Sequence, residues 1–347
     1  ITALRLTTQI GQKHKVGVFF DNQLACDGSA MTTDADSCRP RGTDWVGNGS
    51  ATSAPEAASG GTGGVGAAGF GDTYQRVVQG SYSAPITGSL LLEAGMSSYF
   101  SRWGWMEPPG AVLDINQVQD TAIGLTYRAL DWHFNRVNWN LNWRGSASYI
   151  TGAHAMKFGY QGGHDIDSGT NFYNHTRVNY RFDNGVPNRL TMNFGNWRND
   201  QHTQHYGLYA QDSWTRSRFT FQGAVRYERA WSYFPAGQGW DGPDLFHSEP
   251  VVFDKVIGVP GFNDIMLRGG VSWDLFGNGK TALKAFAGQY VQSANNQDRY
   301  TTGNPANSFA RTTNRNWNDR DRDYVPDCDL MNPATQDLRA TGGDFCG

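Results

Sequence analysis

The chain of 347 residues is poor in charge and contains no long apolar run. Charged residues make up 18% of it, against about 25% in average soluble chains. No stretch approaches the ~18 consecutive apolar residues that a membrane-spanning helix needs, which excludes a helical membrane protein. The formal net charge is -3, from 29 basic and 32 acidic residues, so the chain has no broad basic field and we expect no nucleic-acid partner.

Catalytic motifs and helical periodicity are also missing. The chain has neither a Gly-x-Ser-x-Gly elbow nor a cysteine with an evident catalytic base, and no apolar stripe at helical spacing. The glycine-rich run 59–71 lacks a following Lys-Ser/Thr and is interpreted as a flexible loop. His164 lies near Asp165, while His202 and His205 are spaced to lie on opposite faces of a strand, which is poor metal geometry. We therefore predict that the protein is not an enzyme.

Long segments with alternating apolar and polar residues are abundant. Apolar residues occupy every second position in four of them: Phe219, Phe221, Val225 and Tyr227; Trp139, Leu141 and Trp143; Val178, Tyr180 and Phe182; Leu90, Leu92, Ala94 and Met96. Such strands have one face suited to lipid and one suited to water. About ten residues tilted by about 40° rise roughly 25 Å, the height of the apolar band of an outer-membrane barrel. Strands of soluble β-sandwiches, the alternative, are typically shorter, at ~5–6 residues.

Short turns alternate with long polar segments along the chain. Tight turns are predicted at 11–12, 84–88, 151–153, 184–187, 216–217 and 277–279, and long loops at about 24–72, 104–136, 232–263 and 293–347. Short periplasmic turns and long extracellular loops are typical of outer-membrane barrels. The hairpin at 184–187 has two interpretations, a periplasmic turn or an extension of an outer loop. Aromatic residues cluster near strand ends, as interfacial belts require: Tyr99, Phe100, Trp103, Trp105, Trp214, Trp231, Tyr233 and Phe234.

Three segments carry a family resemblance. The stretch Gly207-Leu-Tyr-Ala-Gln-Asp-Ser-Trp214 with the following strand resembles a hairpin of TonB-dependent outer-membrane receptors. The segments 268–290 and 317–330 are similar to a strand-turn-strand and an extracellular loop of the Oar-like subgroup. The resemblance implies a barrel of about 22 strands around a plug domain, coupled to a TonB complex. The ten to twelve strands predicted in residues 1–347 are then roughly half of such a barrel, with the plug and the TonB box outside this chain.

Four cysteines form two pairs that are close in sequence. Cys26 and Cys38, and likewise Cys328 and Cys346, lie in polar segments rich in Gly, Asp and Asn. We interpret them as two loop-closing disulfides formed in an oxidising compartment. Free thiols or a shared metal site are the alternatives, although no Cys-x-x-Cys spacing supports zinc.

An acidic run near the C-terminus is the most suggestive candidate metal site. Asp319, Asp321, Asp323 and Asp327 could direct several carboxylate oxygens at one hard cation, for which calcium is the candidate. Arg320 and Arg322 interleave with these carboxylates, and the glycine usual at the sixth position of a calcium loop is absent. A solvated loop without metal is therefore the alternative. No other cofactor is expected.

The sequence leads to two functional hypotheses for a protein of the bacterial outer membrane. The first is a TonB-dependent receptor that takes up or binds a bulky ligand, with outer-membrane lipid and the TonB complex as partners. The second is a surface structural or adhesive protein whose disulfide-closed, calcium-binding loops contact neighbours. A plain porin fits the long loops less well. The ligand is unknown, and aromatic residues of the outer loops are candidates to contact it: Trp45, Trp103, Trp105, Trp231, Tyr233 and Trp240.

Overall fold

The computed structural model describes most of the chain. The described residues are 1–27, 70–105, 116–127, 132–173, 176–243, 247–308, 310–317, 319, 321–326, 329–330, 332 and 345–346. Both predicted disulfides lie outside this description, as do the side chains of all four cysteines, Cys26, Cys38, Cys328 and Cys346. Among the described residues, none belongs to a helix with the length and apolar character needed to cross a membrane.

A large antiparallel sheet, which we call the main sheet, contains most of the strands. Its ten principal strands pair in the order β1-β2-β3-β4-β7-β8-β11-β12-β16-β17. They are β1 Thr2–Ile10, β2 His14–Asp27, β3 Phe70–Pro85, β4 Leu90–Trp105, β7 Trp132–Thr151, β8 His154–Tyr173, β11 Trp197–Arg216, β12 Phe219–Phe234, β16 Phe262–Asp274 and β17 Ala282–Gly288. Three short strands extend it. β13 Gln238–Trp240 pairs with β11, β14 Val251–Phe253 pairs with β13, and β15 Val256–Ile257 pairs with β12. In the described residues β1 and β17 do not pair with each other, so the sheet does not close.

A second sheet, the outer sheet, is assembled from two segments that connect main strands and from the segment that follows β17. Its order is β19-β18-β10-β9-β5-β6. The strands are β5 Val118–Asp120, β6 Leu125–Tyr127, β9 Val178–Asp183, β10 Val186–Asn193, β18 Thr312–Trp317 and β19 Phe345–Cys346. Short 3₁₀ helices, Asp298–Tyr300 and Pro305–Asn307, lie in the segment before β18. The prediction of an all-β, antiparallel fold is confirmed, and among the described strands only the β5–β9 and β18–β19 pairs are parallel.

The outer sheet settles the position of the hairpin at 184–187. β9 and β10 follow the far end of β8 and precede the far end of β11, so their turn belongs to the outer sheet. Asn184 and Gly185 both have positive φ, 50° and 75°, as a tight hairpin turn requires. The expectation that the apolar face of β9 meets lipid is wrong. Val178 and Phe182 are buried in a core cluster of the outer sheet, together with Val118, Leu190, Met192 and Trp317.

The hairpin turns of the main sheet are staggered in a regular way. Leu90 at the start of β4 pairs with Tyr149, but β7 continues two residues further, to Thr151. His154 at the start of β8 pairs with Trp214, and β11 likewise continues two residues further, to Arg216. Successive hairpins are therefore offset by two residues, about 6.6 Å along the strand, for every two strands, about 9.6 Å across the sheet. If all the turns lie at the same height, this offset corresponds to strands tilted by roughly 35°. Closed barrels have tilts of this size.

The outward face of the main sheet carries an exposed apolar band. Leu208 is 52% exposed, and Leu267 on β16 is 63% exposed. The chain itself therefore leaves these apolar side chains uncovered. Near the turns, Phe219 stacks on Trp273 with centroids 5.5 Å apart. At the other border Tyr206 contacts Trp231 edge-on at 6.0 Å. From Phe219 to Trp231 the strand spans ~40 Å, or roughly 32 Å after the tilt, enough for an apolar band of about 25 Å between the two aromatic borders.

Candidate functional site

The inward face of the main sheet forms a polar trough on the side opposite the apolar band. It has a volume of about 1010 Å³ and extends from β1 to β11. Four cationic side chains and one carboxylate are among its lining residues: Arg5, Lys15, Arg144, Lys157 and Glu93. With histidine neutral, these groups give the trough a formal charge of +3. Alternation along the strands produces the trough, because the neighbours of these residues in sequence, such as Leu6 and Phe158, face outward.

Glu93 is the carboxylate of the lining and pairs with one of its four cations. Its carboxylate accepts a hydrogen bond from Lys157 Nζ at 2.9 Å and one from Ser146 Oγ at 3.4 Å. The Glu93–Lys157 pair is half exposed, which limits its contribution to stability to under about 1 kcal/mol. The lining therefore keeps an excess of positive charge that faces the trough.

Glycines on the wall of the trough make room for large neighbours. A Cβ at Gly159 would lie 2.3 Å from the Tyr209 ring. A Cβ at Gly163 would lie 2.4 Å from His205 Cε1. Both neighbours lie on β11, so the packing of β8 against β11 depends on glycine at these two positions.

Beyond the trough, a connecting segment folds against the inward face of β11. Asn304 is fully buried and donates to Asn199 Oδ1 at 2.9 Å. Thr203 Oγ1 donates to Asn296 Oδ1 at 2.6 Å. Gln201 Nε2 donates to the carbonyl of Asn296 at 3.3 Å. Residues 295–307 are thus fixed to the inward face of β11 by side-chain hydrogen bonds.

The outer sheet is clamped at one end by Asp120. Its carboxylate accepts backbone hydrogen bonds from Asn184 at 3.0 Å, Gly185 at 2.7 Å and Ala122 at 3.1 Å. Burial raises the pKa of Asp120, but the backbone amides outweigh it, and the net effect is a pKa below the usual value of 3.8. The clamp joins the β5–β6 turn to the β9–β10 turn. Exposed apolar side chains lie at or near these turns or in the loop after β18: Ile123, Leu125, Val186, Tyr324 and Val325.

The aromatic residues predicted to contact a ligand occupy different environments. Trp231 belongs to the outward aromatic border, where Arg229 lies over its ring at 5.8 Å. Trp240 is buried in a cluster with Phe194 and Trp197, so it is a packing residue. Tyr233 contacts His202. Trp45 and the side chains of Trp103 and Trp105 lie outside the described residues.

Three of the four acidic residues of the predicted calcium loop lie close together. One carboxylate oxygen from each of Asp319, Asp321 and Asp323 lies within 4.8 Å of the others. The same carboxylates also accept backbone hydrogen bonds, for example Asp319 from Asp323 N at 3.2 Å and from Tyr324 N at 3.1 Å. Asp327 lies outside the described residues. The geometry is compatible both with a cation site and with a loop stabilised by these hydrogen bonds alone.

A histidine pair was missed by the sequence reasoning. His164 Nε2 lies 2.9 Å from His202 Nδ1, on the outward face of β8 and β11 and more than ten residues along β11 from its turn. Burial lowers the pKa of His164, and it lowers that of His202 to about 4, assisted by the charge of His164. His205 faces the trough instead, as its spacing from His202 predicts. Only the cross-strand register, which pairs Gln204 with His164, brings the two rings together.

Comparison with known proteins adds a similarity to solved structures. No protein-family model matches the chain, and no curated protein matches it. Among solved structures, the chain is similar to the ferric-catecholate import receptor Fiu from E. coli K12 in its closed form, with 11% sequence identity and a TM-score of 0.42. The matched region covers 79% of this chain and 40% of that one. The chain therefore spans about two fifths of the length of that structure.

Proposed function

We propose that the chain forms part of the barrel wall of a TonB-dependent outer-membrane receptor that takes up or binds a bulky ligand. The observation that carries the proposal is the division of the main sheet into two faces. One face is apolar, exposed and bordered by aromatic residues, and the other is polar and cationic. In a membrane barrel, lipid would contact the apolar face and water in the lumen would contact the polar face.

The stagger of the hairpins supports the same proposal. Strands tilted by roughly 35° curl into a barrel when further strands complete the sheet. The edge strands β1 and β17 would then pair with strands from the rest of the receptor, since unpaired backbone groups are costly in lipid. The assignment to the Oar-like subgroup rests on the sequence resemblance of 268–290 and 317–330.

The cationic trough indicates what the interior would contact. In a complete receptor Arg5, Lys15 and Arg144 would face the lumen beside the Glu93–Lys157 pair. An excess of positive charge favours acidic groups on whatever occupies the lumen, either a plug domain or a passing ligand. The fixed segment 295–307 would restrict entry from the extracellular end.

Epitope insertion into the full-length protein tests the proposed topology. A tag at Ile123, in the β5–β6 turn, should be stained on intact cells, because the outer sheet would face the medium. A matched tag at Ser217, in the β11–β12 turn, should be stained only after the outer membrane is permeabilised. Equal staining of both tags on intact cells, or of neither, would overturn the proposed orientation.

Energised transport needs a separate test. The reading frame upstream of Ile1 should encode a TonB box and a plug, and the purified full-length receptor should bind the C-terminal domain of TonB. Deletion of the box should abolish that binding without moving the protein out of the outer membrane.

The adhesive function is the second candidate, and the exposed apolar side chains of the outer sheet favour it. Among them, Ile123 is 66% exposed and Val186 is 63% exposed. Exposed apolar groups of this kind mark contact surfaces when they are contiguous. If no TonB box is encoded and cells lacking the protein lose surface attachment, the adhesive function replaces transport.

A further inference from the structure

The contact between His164 and His202 has a geometry that fits both a hydrogen bond and the binding of a metal ion. The two rings are tilted by 40°, with centroids 5.1 Å apart and Nε2 of one 2.9 Å from Nδ1 of the other. A hydrogen bond with one shared proton accounts for this distance. A metal ion that takes the place of the proton accounts for it as well.

The distance fits adjacent positions around one metal ion. Imidazole nitrogens bind Zn²⁺ at about 2.0–2.1 Å, so two of them at a right angle are roughly 2.9 Å apart, and two at a tetrahedral angle roughly 3.3 Å. The backbone of β8 and β11 therefore already holds the two nitrogens at a chelating distance. Imidazole ligands suit Cu²⁺, Ni²⁺ and Zn²⁺, with Cu²⁺ bound most strongly.

A third donor lies beside the pair. The Tyr233 hydroxyl is 3.2 Å from the same His202 Nδ1, and its ring stacks on that imidazole at 4.8 Å. The negative charges of Asp165 and Asp200 act on His164 and His202, respectively, and favour a cation there. Lys255 opposes a cation, because its ammonium lies 4.5 Å from the centroid of the Tyr233 ring.

We propose that His164 and His202 chelate a divalent transition-metal ion on the outward face of the barrel, with the Tyr233 hydroxyl as the nearest oxygen donor. On binding, the imidazole that carries the shared proton changes tautomer: it gives this proton to water and takes up another from water at its other ring nitrogen. Both rings stay neutral, and each gives one nitrogen lone pair to the metal. The remaining positions are open to water or to a donor from a bound ligand. The site is independent of the proposed transport function.

Copper titration of the purified full-length protein tests the proposal. The protein should carry no histidine tag, and Cu²⁺ should be the probe in isothermal titration. The wild type should bind Cu²⁺ at a site that His164→Gln and His202→Gln each weaken at least tenfold. The matched control is His14→Gln, since His14 also contacts a tyrosine, Tyr82, at 2.8 Å but is not paired with a second histidine. This control should leave the affinity unchanged.

Two further readouts separate a built site from chance binding. Electron paramagnetic resonance of the Cu²⁺ complex should show coupling to two imidazole nitrogens in the wild type and to one in His164→Gln. Lys255→Met should tighten binding a few-fold by removal of the nearby charge. Equal affinity in the wild type and both histidine variants, or a spectrum without two nitrogens, would mean an adventitious ion only and would overturn the proposal.

Discussion

The main sheet and the outer sheet follow the same rule of alternation but bury their apolar faces in different ways. In the outer sheet, short strands from three separate segments of the chain enclose Leu190, Met192 and Trp317, which are at most 2% exposed. In the main sheet, large apolar residues such as Leu208 and Leu267 remain exposed. The two buried clusters among the described residues lie in the outer sheet and at the far end of β11, away from the turns.

This difference shows that the two sheets are adapted to different surroundings. An apolar face that is covered by its own chain indicates water outside, as in soluble domains. A continuous apolar face that the chain leaves uncovered needs another apolar phase against it. Under the proposed function, the main sheet is a lipid-facing wall and the outer sheet a water-facing cap.

The largest expected effect is in the core of the outer sheet. Trp317→Ala should destabilise that sheet by about 3–5 kcal/mol, because it removes a buried aromatic side chain. The control Val186→Ala, at an exposed position of β10, should change little. Hydrogen exchange of β9, β10 and β18 measures the effect. If exchange in the main sheet rose equally, the two sheets would not be separate units.

A charged residue in the apolar band tests whether the main sheet faces lipid. Leu208→Arg should destabilise the barrel by about 2–4 kcal/mol, since it places a cation in the lipid. Gln211→Arg, three residues away on the inward face, should be nearly neutral. Urea unfolding of the full-length protein in lipid vesicles gives both values. In a soluble protein Leu208→Arg would be harmless, because the side chain is already half exposed.

Substitution of glycines in the main sheet tests how β8 packs against β11. Gly159→Ala should cost about 1–3 kcal/mol, because the new methyl group overlaps the Tyr209 ring and forces it to move. Gly223→Ala is the matched control, since a Cβ there meets nothing within 4 Å. The same unfolding assay compares the two variants. Equal stability of Gly159→Ala and the wild type would show that Tyr209 does not pack on β8.

Acidification should loosen the outer sheet at the Asp120 clamp. The folded-state pKa of Asp120 lies below its usual value of 3.8, so its stabilisation is present above about pH 4 and is lost as the pH falls through the folded pKa. Amide exchange at Asn184 and Gly185 should therefore accelerate below pH 4, beyond the intrinsic change. Asp120→Asn should remove this pH dependence, and a variant that kept it would exclude Asp120 as the cause.

Calcium should have the smallest effect of the series. If the acidic loop binds Ca²⁺, millimolar CaCl₂ should slow amide exchange at Asp323 and Tyr324, and Asp319→Asn with Asp321→Asn should abolish the change. The main sheet should not respond in either case. No response in the wild type would leave the loop stabilised by its backbone hydrogen bonds alone.

Alternation predicted the faces of the main strands correctly, because side chains in a strand alternate with a period of two whatever surrounds it. Phe221 and Val225 face outward, and Arg144 and Lys157 line the trough. Alternation could not distinguish lipid from a protein core, which is why β9 was assigned to the membrane. The outer sheet itself was not predictable, since β5 and β9 pair in parallel across about 60 residues of chain. The histidine pair depends on the register between β8 and β11, which could not be predicted from the sequence.

Photocrosslinking at two positions of β11 tests the central claim most directly. A benzophenone amino acid would replace Leu208 in one full-length variant and Gln211 in the other, and cells would be irradiated with the protein in its native membrane. We predict lipid adducts from position 208 and none from position 211. Lipid adducts from both positions, or adducts to protein alone from position 208, would contradict a wall with one face in lipid and one in the lumen.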